Sequence, residues 1–141
     1  MDGSSSAADQ IDIEANLYTV TAVPDRKLIV IKIVGMITPD QVVQLYRDEY
    51  AAILGMGCRL GEHLALVDLT ECSLQLQDVA AAFEKQIQSE AKARRLALFT
   101  GESVSRMQAR RLLRRDAAAL FATRAEAERW LFSDSAEALA A

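Results

Sequence analysis

An almost continuous apolar run extends from Leu28 to Val34 and is interrupted only by Lys32. Consecutive apolar residues, most of them β-branched, are typical of a strand that is covered on both faces. A second β-branched segment, Tyr18–Val23, precedes the run, and the intervening Pro24-Asp25-Arg26 is typical of a turn. The sequence therefore predicts a hairpin whose second strand lies inside a sheet with helices on it.

Further along the chain, short apolar runs alternate with segments whose apolar residues recur at helical spacing. Thr38-Pro39-Asp40-Gln41 combines an N-cap hydroxyl, a proline at the first helical position and a glutamine placed for a capping box. Thr123 and Glu126 can form a second capping box before the last helix. Strands are predicted at 18–23, 27–34, 64–68, 95–100 and 118–121, and helices at 38–55, 76–87, 103–115 and 123–131.

This order of elements predicts an α/β fold, with a mostly parallel central sheet of about five strands and about four helices. The N-terminal strand is the one antiparallel member. A chain of 141 residues fits one domain. We expect a disordered N-terminal segment over 1–15, the domain over 16–132 and a loose C-terminal tail over 133–141.

Charge and hydropathy exclude several classes of function. The formal net charge is −4, so we expect no nucleic-acid partner, because such binding depends on lysines and arginines that neutralise phosphates. No apolar run approaches the roughly 20 residues of a membrane span. The first residues lack the charged and apolar regions of a secretory signal, so we expect a cytoplasmic protein.

Side chains that carry chemistry are few. The only histidine is His63, which we expect at the surface or at a strand edge, and the two cysteines, Cys58 and Cys72, are expected to be free thiols. Without a Cys-x-x-Cys motif or a histidine pair, no metal site is expected. Asp68 and Asp78 could be an acid/base pair, but ending a strand and complementing a helix dipole is the more frequent role of such residues. We expect no catalytic residues, no cofactor and no enzyme activity.

The same order of elements, with Leu66-Val67-Asp68-Leu69-Thr70 leading through a short loop into a helix, resembles the STAS domains of anti-sigma-factor antagonists. Within them it resembles the SpoIIAA-like branch, and residues 95–113 and 119–131 are similar to the second half of small SpoIIAA-like proteins labelled STAS/SEC14. The resemblance spans residues 16–132. It implies a STAS (SpoIIAA-like) fold and a protein partner.

In the antagonists, a serine at the start of the helix after the third strand is phosphorylated by a partner kinase. Aligning Asp68 with the aspartate that ends this strand in the family puts Gln77 near the acceptor position, and glutamine cannot be phosphorylated. A looser alignment offers Thr70 or Ser73, which could equally be helix caps. We expect a non-enzymatic protein-interaction or regulatory module without the switch, with a partner surface at Thr70, Ser73, Gln77 and Asp78.

The sequence leaves two further sites undecided. A carrier or sensor of a small apolar ligand or lipid would use a pocket of Tyr46, Tyr50, Phe83 and Ile87, although these side chains could simply fill the core. An anion could bind at a helix start formed by Gly101, Ser103, Ser105 and Arg106, which could equally be a plain N-cap. A homodimer is also left open.

Overall fold

The computed structural model describes residues 17–73, 77–87, 93–101 and 117–133, and over these residues it has the predicted α/β architecture. The strands are β1 Tyr18–Val23, β2 Leu28–Gly35, β3 Leu64–Cys72, β4 Arg95–Phe99 and β5 Ala118–Phe121. The helices are α1 Pro39–Gly55, α2 Gln77–Ile87 and α3 Arg124–Leu131. The predicted helix over 103–115, the segment over 1–15 and residues 134–141 of the predicted tail lie outside the described residues.

The five strands form one sheet in the order β1-β2-β3-β4-β5. β1 pairs with β2 in antiparallel fashion, with Tyr18 opposite Ile33, and the other neighbouring pairs are parallel. A 3-10 turn over Pro24–Arg26 joins β1 to β2, and Lys27 closes it in the left-handed conformation with φ 52°. The predicted hairpin and the single antiparallel strand are confirmed.

The continuous apolar run of β2 is explained by cover on both faces of the sheet. Ile29, Ile31 and Ile33 belong to a core shared with α1 and α2, whereas Leu28 belongs to a second core shared with α3. Val30 packs against that second core, in register with the fully buried Leu66 of β3. Burying both sets of side chains requires apolar residues at successive positions, because neighbouring side chains of a strand point to opposite faces.

Both predicted capping boxes are present. At α1 the backbone N–H of Gln41 donates to the Thr38 hydroxyl at 3.2 Å, and the backbone N–H of Thr38 donates to the Gln41 side chain at 2.8 Å. Thr123 and Glu126 make the same reciprocal pair at the start of α3. These bonds satisfy amide groups that a helix start leaves unpaired, and thereby fix where the two helices begin.

Two predictions require correction. β3 extends to Cys72, beyond the predicted end at Asp68, because a bulge shifts the register and lets Glu71 pair with Val34 of β2. His63 is fully buried, and not at the surface or a strand edge as predicted. It lies directly before β3, and its carbonyl accepts a hydrogen bond from the Arg94 N–H at 2.7 Å, which ties it to the start of β4.

Candidate functional site at the carboxyl edge of the sheet

The carboxyl ends of β2, β3, β4 and β5 meet at one edge of the sheet, which we call the carboxyl edge. Backbone hydrogen bonds hold the ends together: the Ser73 N–H donates to the Gly35 carbonyl at 3.1 Å, and the Gly101 N–H donates to the Ala122 carbonyl at 2.9 Å. Ligands of open α/β sheets bind beyond this edge, where the loops leave the strands. The predicted partner residues and the predicted anion site both begin here.

Asp68 and Thr70 form a small hydrogen-bonded unit near the end of β3. The Asp68 carboxylate oxygen Oδ1 accepts from the Thr70 backbone N–H at 2.9 Å and from the Thr70 hydroxyl at 2.6 Å. Thr70 is exposed, and Asp68 is half-buried. The carboxylate therefore orders the bulged strand end, and both side chains are held in one orientation at the surface.

A charged pair lies beside this unit. The Lys32 ammonium contacts the Glu71 carboxylate at 2.5 Å, and this hydrogen bond and the Glu71 charge raise the pKa of Lys32, with a smaller contribution from Asp68. The Lys32 and Glu71 side chains are 39% and 56% exposed, so solvent screens the pair and we assign little stability to it. Its consequence is a fixed arrangement of charge at the edge.

The remaining predicted partner residues follow β3 along the chain. Ser73 is exposed, and α2 begins at Gln77, four positions later. Gln77 and Asp78 are exposed in the first turn of α2, and the Asp78 carboxylate accepts from the Val79 N–H at 2.8 Å. All four residues predicted for the partner surface, Thr70, Ser73, Gln77 and Asp78, are therefore accessible to a partner.

The predicted anion site is only partly described. Gly101 has φ +66°, and a Cβ built on it would lie 3.9 Å from the Thr70 side-chain methyl. The loop after β4 therefore lies next to the end of β3. Ser103, Ser105 and Arg106 lie outside the described residues, and the anion site stays a prediction.

The predicted apolar pocket separates into two parts. Tyr46 and Tyr50 line an open groove of about 320 Å³ on α1, together with Val43, Arg47, Glu49, Ile53 and Gln86. Phe83 is instead in the core, only 6% exposed, with its ring edge-to-face against Tyr46 at a centroid distance of 6.3 Å. Ile87 ends α2, and its side chain lies outside the described residues.

The only histidine lies far from Asp68 of the possible acid/base pair. His63 precedes the first residue of β3, and Asp68 is five positions further on, which at about 3.3 Å per residue puts the two roughly 16 Å apart along the strand. They cannot act on one bond. Over the described ranges, no three metal-ligating side chains come together, Cys58 and Cys72 form no disulfide, and no helix is long and apolar enough to cross a membrane.

Sequence reasoning missed the Lys32–Glu71 pair, because Glu71 lay beyond the predicted end of β3. One signal was available. Lys32 is the only charged residue in a run that is otherwise apolar, and a charge on a strand covered on both faces indicates either an uncovered part of the face or a partner for the charge.

No protein-family model matches the chain, and no curated protein is similar to it. Among solved structures, it is similar to the crystal structure of an uncharacterised protein of the DUF3478 family from Shewanella loihica PV-4, which has a SpoIIAA-like fold. The TM-score is 0.61 at 20% sequence identity, over 81% of this chain and 91% of that chain. The chain therefore has the SpoIIAA-like α/β fold that the sequence resemblance predicted.

Proposed function

We propose that the chain is a non-enzymatic protein-interaction or regulatory module that binds a partner protein through the carboxyl edge. The observation that carries this proposal is the exposure of Thr70, Ser73, Gln77 and Asp78 around the end of β3 and the start of α2. Asp68 and Glu71 are already engaged, with Thr70 and Lys32 respectively. A surface of ordered, exposed polar groups suits recognition of another surface better than it suits chemistry.

The charge of the edge indicates the kind of partner. Among the residues that the structure describes there, Asp68, Glu71 and Asp78 supply three carboxylates, and Lys32 supplies one ammonium group. Complementary potentials steer association and suppress wrong partners, so we expect the partner to present a basic surface. Because glutamine cannot be phosphorylated, the proposal includes no regulation of binding by a kinase at Gln77.

The test compares the native chain with a Gln77→Arg, Asp78→Arg variant in capture from the native host. The matched control is Asp40→Arg, Gln44→Arg, which makes the same chemical change at exposed positions of α1. We expect a defined partner to bind the native and control chains and to be lost from the edge variant. That partner, once purified, should bind less tightly at higher salt. If the edge variant retains the same partners, the proposed surface is wrong.

A second candidate function is transport or sensing of a small apolar ligand, favoured by the groove on α1. Tyr50 is 47% exposed and Val43 is 42% exposed, so apolar surface is available there without unfolding the core. Native mass spectrometry of the purified protein would detect a bound ligand. Val43→Asp with Tyr50→Asp should abolish it, and Leu60→Asp, at an exposed apolar residue elsewhere, should not. If the purified protein never carries a bound ligand, this function is wrong.

A further inference from the structure

A cleft of about 280 Å³ lies at the opposite, amino end of the parallel strands. It is bounded by the residues that precede or begin β2, β3 and β4 and by the end of α3, and we call it the arginine cleft. Three of its seven lining residues are arginines. The lining consists of Arg26, Leu64, Arg94, Arg95, Leu131, Phe132 and Ser133.

Arg95 is the buried cation of the cleft, with only 7% of its surface exposed. Its Nη1 group donates to the carbonyls of Trp130 and Leu131 at 3.0 and 3.3 Å, and it also contacts both oxygens of Ser133. Nη2 and Nε make no hydrogen bond to any residue that the structure describes. The guanidinium group is thus held in place by one nitrogen, and its other donors are left for another acceptor.

The two other arginines add positive charge at the rim. The Arg26 guanidinium lies over the Phe132 ring, 4.4 Å from the ring centroid, which fixes its position by a cation–π contact. Arg94 is exposed. None of the three arginines forms an ion pair with a carboxylate of the described ranges, in a chain whose net charge is −4.

A buried guanidinium without a carboxylate is costly unless its charge is compensated. The carbonyls at the end of α3 compensate part of it, since a helix C-terminus carries partial negative charge. An oxyanion is the complement that remains, because arginine donors match the geometry of a carboxylate or phosphate in pairs. Phe132, which is half-buried, adds an apolar wall beside the charged groups, while the side chains of Leu64 and Leu131 are buried beneath the cleft.

We propose that the arginine cleft binds a small organic oxyanion, a carboxylate or a phosphate monoester, whose apolar part lies against Phe132. Ligand pockets usually measure about 300–1,000 Å³, so the cleft suits a small ligand or the anionic end of a larger one. This site is separate from the carboxyl edge and does not depend on the function proposed there.

The test is a titration of the 15N-labelled full chain, followed by NMR at the backbone amides of Arg94, Leu131 and Ser133 and at the arginine Nε–H groups. The probes are phenyl phosphate, benzoate, inorganic phosphate, acetate and the neutral benzyl alcohol. We expect saturable chemical-shift changes, with tighter binding of the two aromatic anions than of inorganic phosphate and acetate. The ratio of the dissociation constants of phenyl phosphate and benzoate tells which oxyanion is preferred. Shifts that do not saturate by about 20 mM, or benzyl alcohol binding equally well, would overturn the proposal.

Variants of single residues distinguish specific binding in the cleft from non-specific attraction of anions to the protein. Arg94→Gln should weaken binding of the preferred aromatic anion about tenfold, whereas Arg47→Gln, at an exposed arginine of α1, should leave it unchanged. Equal weakening by both changes refutes a specific site. Asp134→Asn with Glu137→Gln removes carboxylates that follow Ser133 in the sequence. If binding occurs only in that variant, the chain's own carboxylates occupy the cleft and the proposal is wrong.

Discussion

Replacing Arg95 by methionine tests whether this buried arginine holds α3 onto the sheet. Nη1 carries two hydrogens, so two of its four acceptors can be fully served at one time. A hydrogen bond from a charged donor contributes about 1.5–3 kcal/mol, and the carbonyls would lose these bonds. Methionine retains the apolar stem, and relief from burying a charge offsets part of the loss. We expect the free energy of unfolding to fall by about 3 kcal/mol.

The measurement is urea unfolding followed both by far-UV circular dichroism and by the fluorescence of Trp130, the only tryptophan. The Trp130 ring centroid lies 5.9 Å from the Arg95 guanidinium carbon, so fluorescence reports on this contact and circular dichroism on the whole domain. Coincident transitions would show that α3 unfolds together with the sheet.

The neighbouring arginine supplies the control. Arg94 is exposed, and Arg94→Met should change the free energy of unfolding by no more than about 0.5 kcal/mol. A loss below about 1 kcal/mol for Arg95→Met, or equal losses for the two substitutions, would show that Arg95 does not hold α3 onto the sheet.

Three other predictions follow from single contacts. Leu66→Ala, at a fully buried residue of the central strand, should lower the free energy of unfolding by about 3–4 kcal/mol in urea unfolding, and a loss below about 1 kcal/mol would contradict its burial. Burial and the Asp48 carboxylate, which accepts from the Tyr18 hydroxyl at 2.7 Å, raise the pKa of Tyr18 to about 12. Because the folded state holds this proton more tightly, Tyr18 stabilises the fold fully below pH 10 and loses that contribution as the pH rises to about 12. Tyrosinate absorbance should show a late-titrating group that is lost in Tyr18→Phe, and titration of all tyrosines together would refute it. Gly101→Ala should lower the free energy of unfolding by about 1 kcal/mol, because of its φ of +66° alone. Gly55→Ala, at the end of α1 and without a positive φ, should not lower it. Urea unfolding measures both.

Local rules predicted what depends on neighbouring residues. The capping boxes at Thr38 and Thr123 need only residues three positions apart, so both helix starts were predicted from the sequence. The continuous apolar run of β2 likewise identified an interior strand, because cover on both faces must appear at successive positions. These signals were sufficient for the fold class and the strand order along the chain.

Features that depend on distant partners could not be predicted. Glu71 belongs to β3 only because Val34 of β2 pairs with it across a bulge. Arg94 and Arg95 are adjacent in the sequence, and which of them is buried depends on the end of α3, about 35 positions away. His63 gives no pattern that distinguishes a buried from an exposed position, since its burial follows from the packing around the start of β3.

The two proposed sites should act independently, because the sheet separates them. Leu64 lines the arginine cleft and Thr70 lies six positions along β3, which at about 3.3 Å per residue is roughly 20 Å. Coupling across that distance needs an element with two arrangements that both ligands bias. β3 is paired on both sides and lies between two packed cores, so it has little freedom to provide one. We expect a saturating oxyanion to change the affinity for the partner protein by less than about twofold in calorimetric titrations. A change of about tenfold would show that the strands do transmit a rearrangement from one end of the sheet to the other.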